Sequence, residues 1–342
     1  MMCTVMAHYS VGFLFLARVF LASLLLAGPS LATVGFQQVT IPDRSGKSMQ
    51  AGIWYPSNVQ TSPHPLGLFS QDVALNAPVS GQGLPLILIS HGTGGSLTGH
   101  LDTAQALARS GMVVLAITHI GDNSQDQSYV GNRIDLTDRP RQIKVALDWA
   151  LSSWPGGLNI NAKRVGIFGF SLGGFTSLVL LGGTPELSRM AQLCESKPDA
   201  PECEFIKRAH GDQLSPSPDT PTWIHDSRIK AAVIAAPAAA YLFGPGDLRD
   251  VSAPVQIWRV ENDTLAPDAW NGAIIRDNLI VHPDTHVVRG ADHFAFLAPC
   301  SDALRATVPP ICQDPSGFDR AAFHRAFNQS IVDFFGTRLR ER

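Results

Sequence analysis

Apolar positions along the chain fall into two rhythms. Phe36 to Ile41 and Met49 to Tyr55 are short β-prone runs separated by Asp43-Arg44-Ser45-Gly46, which predicts an antiparallel hairpin. Residues 56 to 84 are rich in Pro, Ser, Gly and Asn and read as a long irregular connection. From residue 85 continuous apolar runs alternate with segments of helical spacing. The runs are Leu86 to Ile89, Met112 to Ile117, Val165 to Phe168, Ile229 to Ala235, Val255 to Val260 and His286 to Val288. Helical spacing marks Leu101 to Ala108, Phe175 to Leu181, Arg320 to Phe335 and Arg139 to Leu151, the last with Ile143, Ala146, Leu147 and Ala150 on one face. Strands that are apolar on both sides belong to a parallel sheet covered by helices on both faces. The expectation is one α/β domain over residues 33–342, with about eight strands.

Between Gly182 and Ser227 that alternation stops. The segment carries two cysteines and several prolines, with short helices expected over Glu186 to Leu193 and Phe205 to His210. An insertion over 183–227, following a strand-turn-helix unit, is placed to cap the carboxyl ends of the strands. A surface elaboration away from them is the alternative.

The first 32 residues read as a secretory signal. Val11 to Ala27 is apolar apart from Arg18 and Ser23, Gly28-Pro29 breaks the helix, and Ser30-Leu31-Ala32 offers small residues for cleavage. A mature start near Thr33 and a periplasmic or secreted location follow, with no membrane span after cleavage. The leader is weakly basic, so Met6 is an alternative start, and a retained anchor is the alternative fate. Cys3 falls in the signal, which leaves Cys194, Cys203, Cys300 and Cys312. Four cysteines allow three pairings; the two local loops, Cys194–Cys203 and Cys300–Cys312, are the simplest. No cysteine spacing points to a metal. A formal charge of −3 without a basic cluster excludes nucleic acid as a partner.

Candidate chemistry centres on Gly169-Phe170-Ser171-Leu172-Gly173, which joins the run Val165 to Phe168 to the following helix. Strand, tight turn and helix is the context in which a G-x-S-x-G serine is raised on a strained turn as a nucleophile. A serine hydroxyl needs a base, and the base needs an acid to orient it. His293 leaves the carboxyl end of the last strand and is the choice of base over His282, His286 and His324. Asp263, after the strand Val255 to Val260, is the choice of acid; Glu261 competes, and Asp292 is a weaker competitor. Two amides must stabilise the oxyanion. Leu172 N–H is one, and Ser90-His91-Gly92-Thr93-Gly94-Gly95 supplies the other, from Thr93 or alternatively from Gly92 or Gly94. His91 is read as supporting that loop. A phosphate-binding glycine loop is rejected, because neither of its patterns is present.

Ile89 to Gly95, His119-Ile120-Gly121-Asp122-Asn123, Arg139-Pro140, Gly169 to Gly174, and Gly290 to Leu297 followed by Cys300 together resemble the α/β-hydrolases. More narrowly, they resemble the bacterial group labelled predicted dienelactone hydrolases, which is similar to the platelet-activating-factor acetylhydrolase family. The resemblance implies a Ser171, Asp263, His293 triad and an oxyanion hole from Thr93 and Leu172. True dienelactone hydrolases carry cysteine where Ser171 stands, so their substrate is not carried over. The reading is an exported serine hydrolase of small-molecule or lipid-like carboxylic esters, without cofactor or metal. An amidase or peptidase using the same residues, or a catalytically silent binding protein, are the rivals.

Overall fold

The computed structural model describes Met1 and residues 33–44, 46–210 and 221–340. Apart from Met1, the expected signal lies outside these residues. The chain divides into two units, Met1–Ser30 and Leu31–Arg342, and the second carries all that follows. No helix among the described residues is long and apolar enough to cross a membrane.

Among the described residues, ten strands form one sheet. They are β1 (Thr33–Pro42), β2 (Ser48–Ser57), β3 (Ser62–Leu66), β4 (Phe69–Leu75), β5 (Leu84–Ser90), β6 (Val113–Ile117), β7 (Ile160–Phe170), β8 (Ile229–Ala235), β9 (Val255–Val260) and β10 (Asp284–Val288). Their order is β10-β9-β8-β7-β5-β6-β2-β1-β4-β3. Every pairing from β10 to β6 is parallel, while β2 runs antiparallel to both β6 and β1. The apolar runs from Leu86 to Val260 have become buried parallel strands. The last run, His286 to Val288, lies in the edge strand β10 with only Val288 buried. The opening hairpin is antiparallel as its turn required.

Two more strands arise in 56–84, where an irregular connection was expected. Pro63 and Pro65 argued against a ladder, yet they sit in β3, the outermost strand, opposite Asp72 and Ser70 of β4. An edge strand has one side without ladder partners, which accommodates residues that lack an amide hydrogen.

Pleating sends alternate side chains of β5 to opposite faces. Ile87 and Ile89 pack with α1 (Leu101–Arg109) and α8 (Arg320–Arg338), through Leu107, Phe327 and Phe335 among others. Leu86 and Leu88 pack with α2 (Arg133–Ser152), through Ile143, Ala146, Leu147 and Ala150. Behind β8 and β9, α3 (Leu172–Leu180) and α6 (Gly272–Asn278) fill a third cluster with Phe175 and Ile275. The remaining helices are α4 (Arg189–Ser196), α5 (Pro201–His210) and α7 (Asp302–Thr307). Helix α2 begins at Arg133, ahead of the expected Arg139, and runs through Pro140. Pro140 reads as a helix start because proline favours a first turn; here the buried side chains of Asp135 and Arg139 anchor the preceding turns. The insertion holds α4 and α5, bridged by Cys194–Cys203 with a Cα separation of 5.6 Å. Cys300–Cys312 closes the second local loop at 5.8 Å.

The chain leaves β5 towards β6 and then returns to its other side with β7. The carboxyl ends of β5 and β7 therefore flank a point where the winding direction reverses, the usual crevice for a ligand in an open α/β sheet.

Gly166 of β7 lies under α8: a Cβ there would stand 2.6 Å from Phe335 Cε1 and 3.0 Å from Ile87 Cδ1. Gly166→Ala should lower the unfolding free energy by about 1–3 kcal/mol in denaturant titrations. Because the ring is the obstacle, adding Phe335→Leu should give a double variant more stable than the sum of the two losses implies. Strict additivity would mean that the strand and helix do not meet this way.

Candidate active site

At the end of β7 the backbone turns so tightly that side chains are excluded on both sides of Ser171. A Cβ at Gly169 would meet the Gly173 carbonyl oxygen at 2.1 Å, and one at Gly173 would meet that of Ser90 at 2.0 Å. Ser171 takes φ 52° and ψ −117°, a conformation that L-residues rarely hold. Three hydrogen bonds secure it. Its N–H donates to Ala235 O at 2.9 Å, and its carbonyl accepts from Gly174 N at 2.9 Å and Ala238 N at 3.1 Å. Ala236 and Ala239, after β8, also have positive φ. Three of the four non-glycine residues with positive φ among those described are thus this serine and two neighbours of Ala235 and Ala238, which bond it.

Two distant loops meet that hydroxyl. His293 follows β10, at the start of a short turn, with Nε2 3.0 Å from Ser171 Oγ and Nδ1 2.7 Å from Asp263 Oδ2. A carboxylate oxygen only accepts, so Nδ1 carries the proton and Nε2 is left to accept from the serine hydroxyl. Asp263 Oδ1 accepts from Leu265 N at 2.9 Å and Ala266 N at 2.8 Å, which fixes the carboxylate against its own loop. Glu261, the competing acid, is exposed. Asp292 instead accepts from Phe294 N at 3.1 Å and caps the turn that begins at His293.

Thr93 and Leu172 both line the cavity in front of Ser171. Leu172 opens α3, where helical amides have no acceptor behind them. The alternative donor Gly94 is occupied: its N–H donates to Asp122 Oδ1 at 2.6 Å. Gly92 packs against the elbow, its Cβ position 3.0 Å from Ser171 Cβ.

Behind this loop lies a buried polar network that the sequence reading left mostly unassigned. Arg139, 1 % exposed, bonds the Asp122 carboxylate and the His91 carbonyl, and its Nε donates to Thr176 Oγ1 of α3 at 3.3 Å. His91 Nδ1 donates to Gly92 O at 2.6 Å while Nε2 accepts from His119 N at 3.0 Å, so the imidazole braces the loop. His119 lies between Ser90 Oγ and Gln142 Oε1, each at 2.9 Å. Burial, then the Arg139 charge, pushes His91 down to about 4 and His119 far below its ordinary value, so both stay neutral. Asp135, also buried, meets Asp122; burial first and the Asp122 charge second hold its carboxyl well above the usual range. The signal was in the sequence: Asp135, Arg139 and Gln142 are spaced to share one helical face, and that face is buried.

A cavity of about 320 Å³ opens over Ser171 and His293. Phe170 and Phe294 line it, whereas Trp258 stacks on His286 at 4.1 Å and Phe296 is fully buried, and neither of these lines it. The outer wall comes from the 183–227 segment through Met190, Pro201, Glu202, Phe205, Ile206 and Arg208. Glu202 Oε1 accepts from Trp270 Nε1 and Asn271 Nδ2, both at 2.9 Å, which ties α5 to the loop after β9.

No family model and no curated protein matches this sequence. Among solved structures, the chain is similar to a ferulic acid esterase from Streptomyces cinnamoneus, with a TM-score of 0.62 over 93 % of each chain and 15 % identity. The fold is the α/β-hydrolase fold. At that identity the likeness concerns architecture, and the side chains have to speak for the chemistry.

Asp122 is the anionic partner of a guanidinium sealed from water. Asp122→Ala combined with Asp135→Asn should therefore cost about 3–5 kcal/mol of stability in urea unfolding, since the pair of changes leaves Arg139 buried without a carboxylate partner. A loss within the range of an ordinary surface change would refute the description of this pair as dry.

Proposed function

We propose that the chain is an exported serine hydrolase that cleaves small carboxylic esters through an acyl-enzyme. The observation that carries this reading is the hydrogen-bonded series Asp263–His293–Ser171 at the floor of an open cavity. His293 Nε2 takes the proton as Ser171 Oγ attacks the acyl carbon, and Asp263 stabilises the imidazolium that forms. Negative charge on the carbonyl oxygen falls to the amides of Thr93 and Leu172. His293 then protonates the departing alcohol, and water repeats the sequence to release the acid. The chemistry needs neither metal nor cofactor.

A cavity of about 320 Å³ is at the small end for ligand sites. This favours short acyl or single-ring aryl groups over long lipid chains, and the likeness in fold to a ferulic acid esterase supports ester cleavage as the reaction class. The 183–227 segment walls this space, so we read it as a cap that sets acyl length. Two disulfides support a working place in an oxidising compartment, periplasmic or outside the cell.

Ser171→Ala should lower kcat on p-nitrophenyl acetate at least about 10⁴-fold with an unchanged circular dichroism spectrum. A fluorophosphonate should label the wild type at Ser171 and leave the variant unmarked. A folded wild type that resists labelling would favour a silent binding protein, and anilide turnover matching ester turnover would favour an amidase. Asp263→Asn should cost on the order of 10⁴ in kcat, while Glu261→Gln stays near wild type; the reverse ranking would move the acid to Glu261.

A further inference from the structure

Asp135 sits in α2, is 2 % exposed, and lines the cavity beside Thr93. Its Oδ1 accepts no hydrogen bond among the described residues, while the carboxyl meets that of Asp122 and the Gly131 backbone. Two carboxyl groups in contact out of water cannot both be ionised. Asp122 already receives two donors, the Arg139 guanidinium and the Gly94 amide, whereas Asp135 Oδ1 receives none. The proton therefore belongs on Asp135, which becomes a donor to Asp122. With His91 and His119 neutral, the cluster then balances: one cation, one anion and one neutral acid.

Resting on the reading of Thr93 as an oxyanion donor, we propose that Asp135 is a positioning residue. In its protonated form it donates to Asp122 and so holds the Gly94 amide, and with it Thr93, in place; ionised, it releases them. The released proton goes to solvent, and the single guanidinium of Arg139 then faces two adjacent carboxylates. Asp122 is the member free to move, because Arg139 is also held by the His91 carbonyl and Thr176. The other ionisable groups near Asp135 are Arg139 on its own helix, His91 and His119 behind Arg139, and Glu202, Arg208 and His293 around the cavity.

Asp135→Asn tests this, since an amide donates to Asp122 at every pH. For the wild type, kcat on p-nitrophenyl acetate should decline as the pH rises through the titration of Asp135, with KM little changed. Asp135→Asn should lose that declining limb whatever its absolute rate. Asp135→Leu, which cannot donate, should lower kcat by up to about 100-fold with no such limb. A second arm needs no activity. The unfolded chain releases this proton from about pH 4 upward while the folded one retains it, so wild-type stability should fall with rising pH relative to Asp135→Asn. The same declining limb in Asp135→Asn, or parallel stability curves for the two proteins, would overturn the proposal. A wild type inert toward esters would speak against the esterase reading instead, and the stability arm would still decide where the proton sits.

Discussion

The first turn of α3 and the carboxyl end of β5 approach each other more closely than any side chain permits. With the Gly173 Cβ position 2.0 Å from the Ser90 carbonyl oxygen, only a bare α-carbon lets the α3 helix begin against the neighbouring strand. That one contact brings the serine on one strand end and the glycine loop on the other within reach of a single small molecule. Beside it Ser171 holds a positive φ, whose strain is tolerated because three hydrogen bonds to Ala235, Gly174 and Ala238 over-determine it. Everything else at the site is delivered to this junction: His293 from beyond β10, Asp263 from beyond β9.

Much of this was legible in the residues. Buried parallel strands announce themselves as continuous apolar runs, so β5 to β9 and their covering helices could be read directly, and the spacing of glycines about Ser171 located the junction. What escaped followed from signals that point two ways. Prolines at 63 and 65 are evidence against a central strand but say nothing against an edge one, so the hairpin of β3 and β4 read as loop. Pro140 marks a helix start far more often than a helix interior, so the first turns of α2 were missed, and with them Asp135. A charged residue in an amphipathic helix reads as solvated unless the fold above it is known. The spacing of Asp135, Arg139 and Gln142 puts them on one helical face, but the loop that buries that face depends on β5, α2 and the residues after β6 at once, which no local pattern encodes.

The buried network explains why the glycine loop can be both exposed and rigid. Thr93 is solvent-exposed, and an exposed glycine-rich loop would ordinarily sample many conformations. Here its carbonyl at His91 is gripped by Arg139, its Gly94 amide by Asp122, and its His91 ring by the backbone of His119. Dipoles that must meet developing charge are useful only when they need not reorganise. A dry ion pair holds them more firmly than a surface one, because no water competes for its partners. The same dryness makes the network intolerant of a second negative charge, so rigidity and sensitivity to protonation have one origin.

A parallel division of labour governs the cavity. Its inner end is built by strand-end residues that the core fixes, while its outer wall comes from α4 and α5, short helices whose own apolar contacts are modest. Two ties compensate: the Cys194–Cys203 bridge joins the helices to each other, and Glu202 joins α5 to Trp270 and Asn271 in the loop after β9. That loop follows the stretch that carries Asp263. The wall proposed to limit the acyl group and the proposed acid Asp263 are therefore anchored to neighbouring segments of one connection. On that reading, the side chains that would shape the substrate and the one that would orient the imidazole share a single support, the loop after β9.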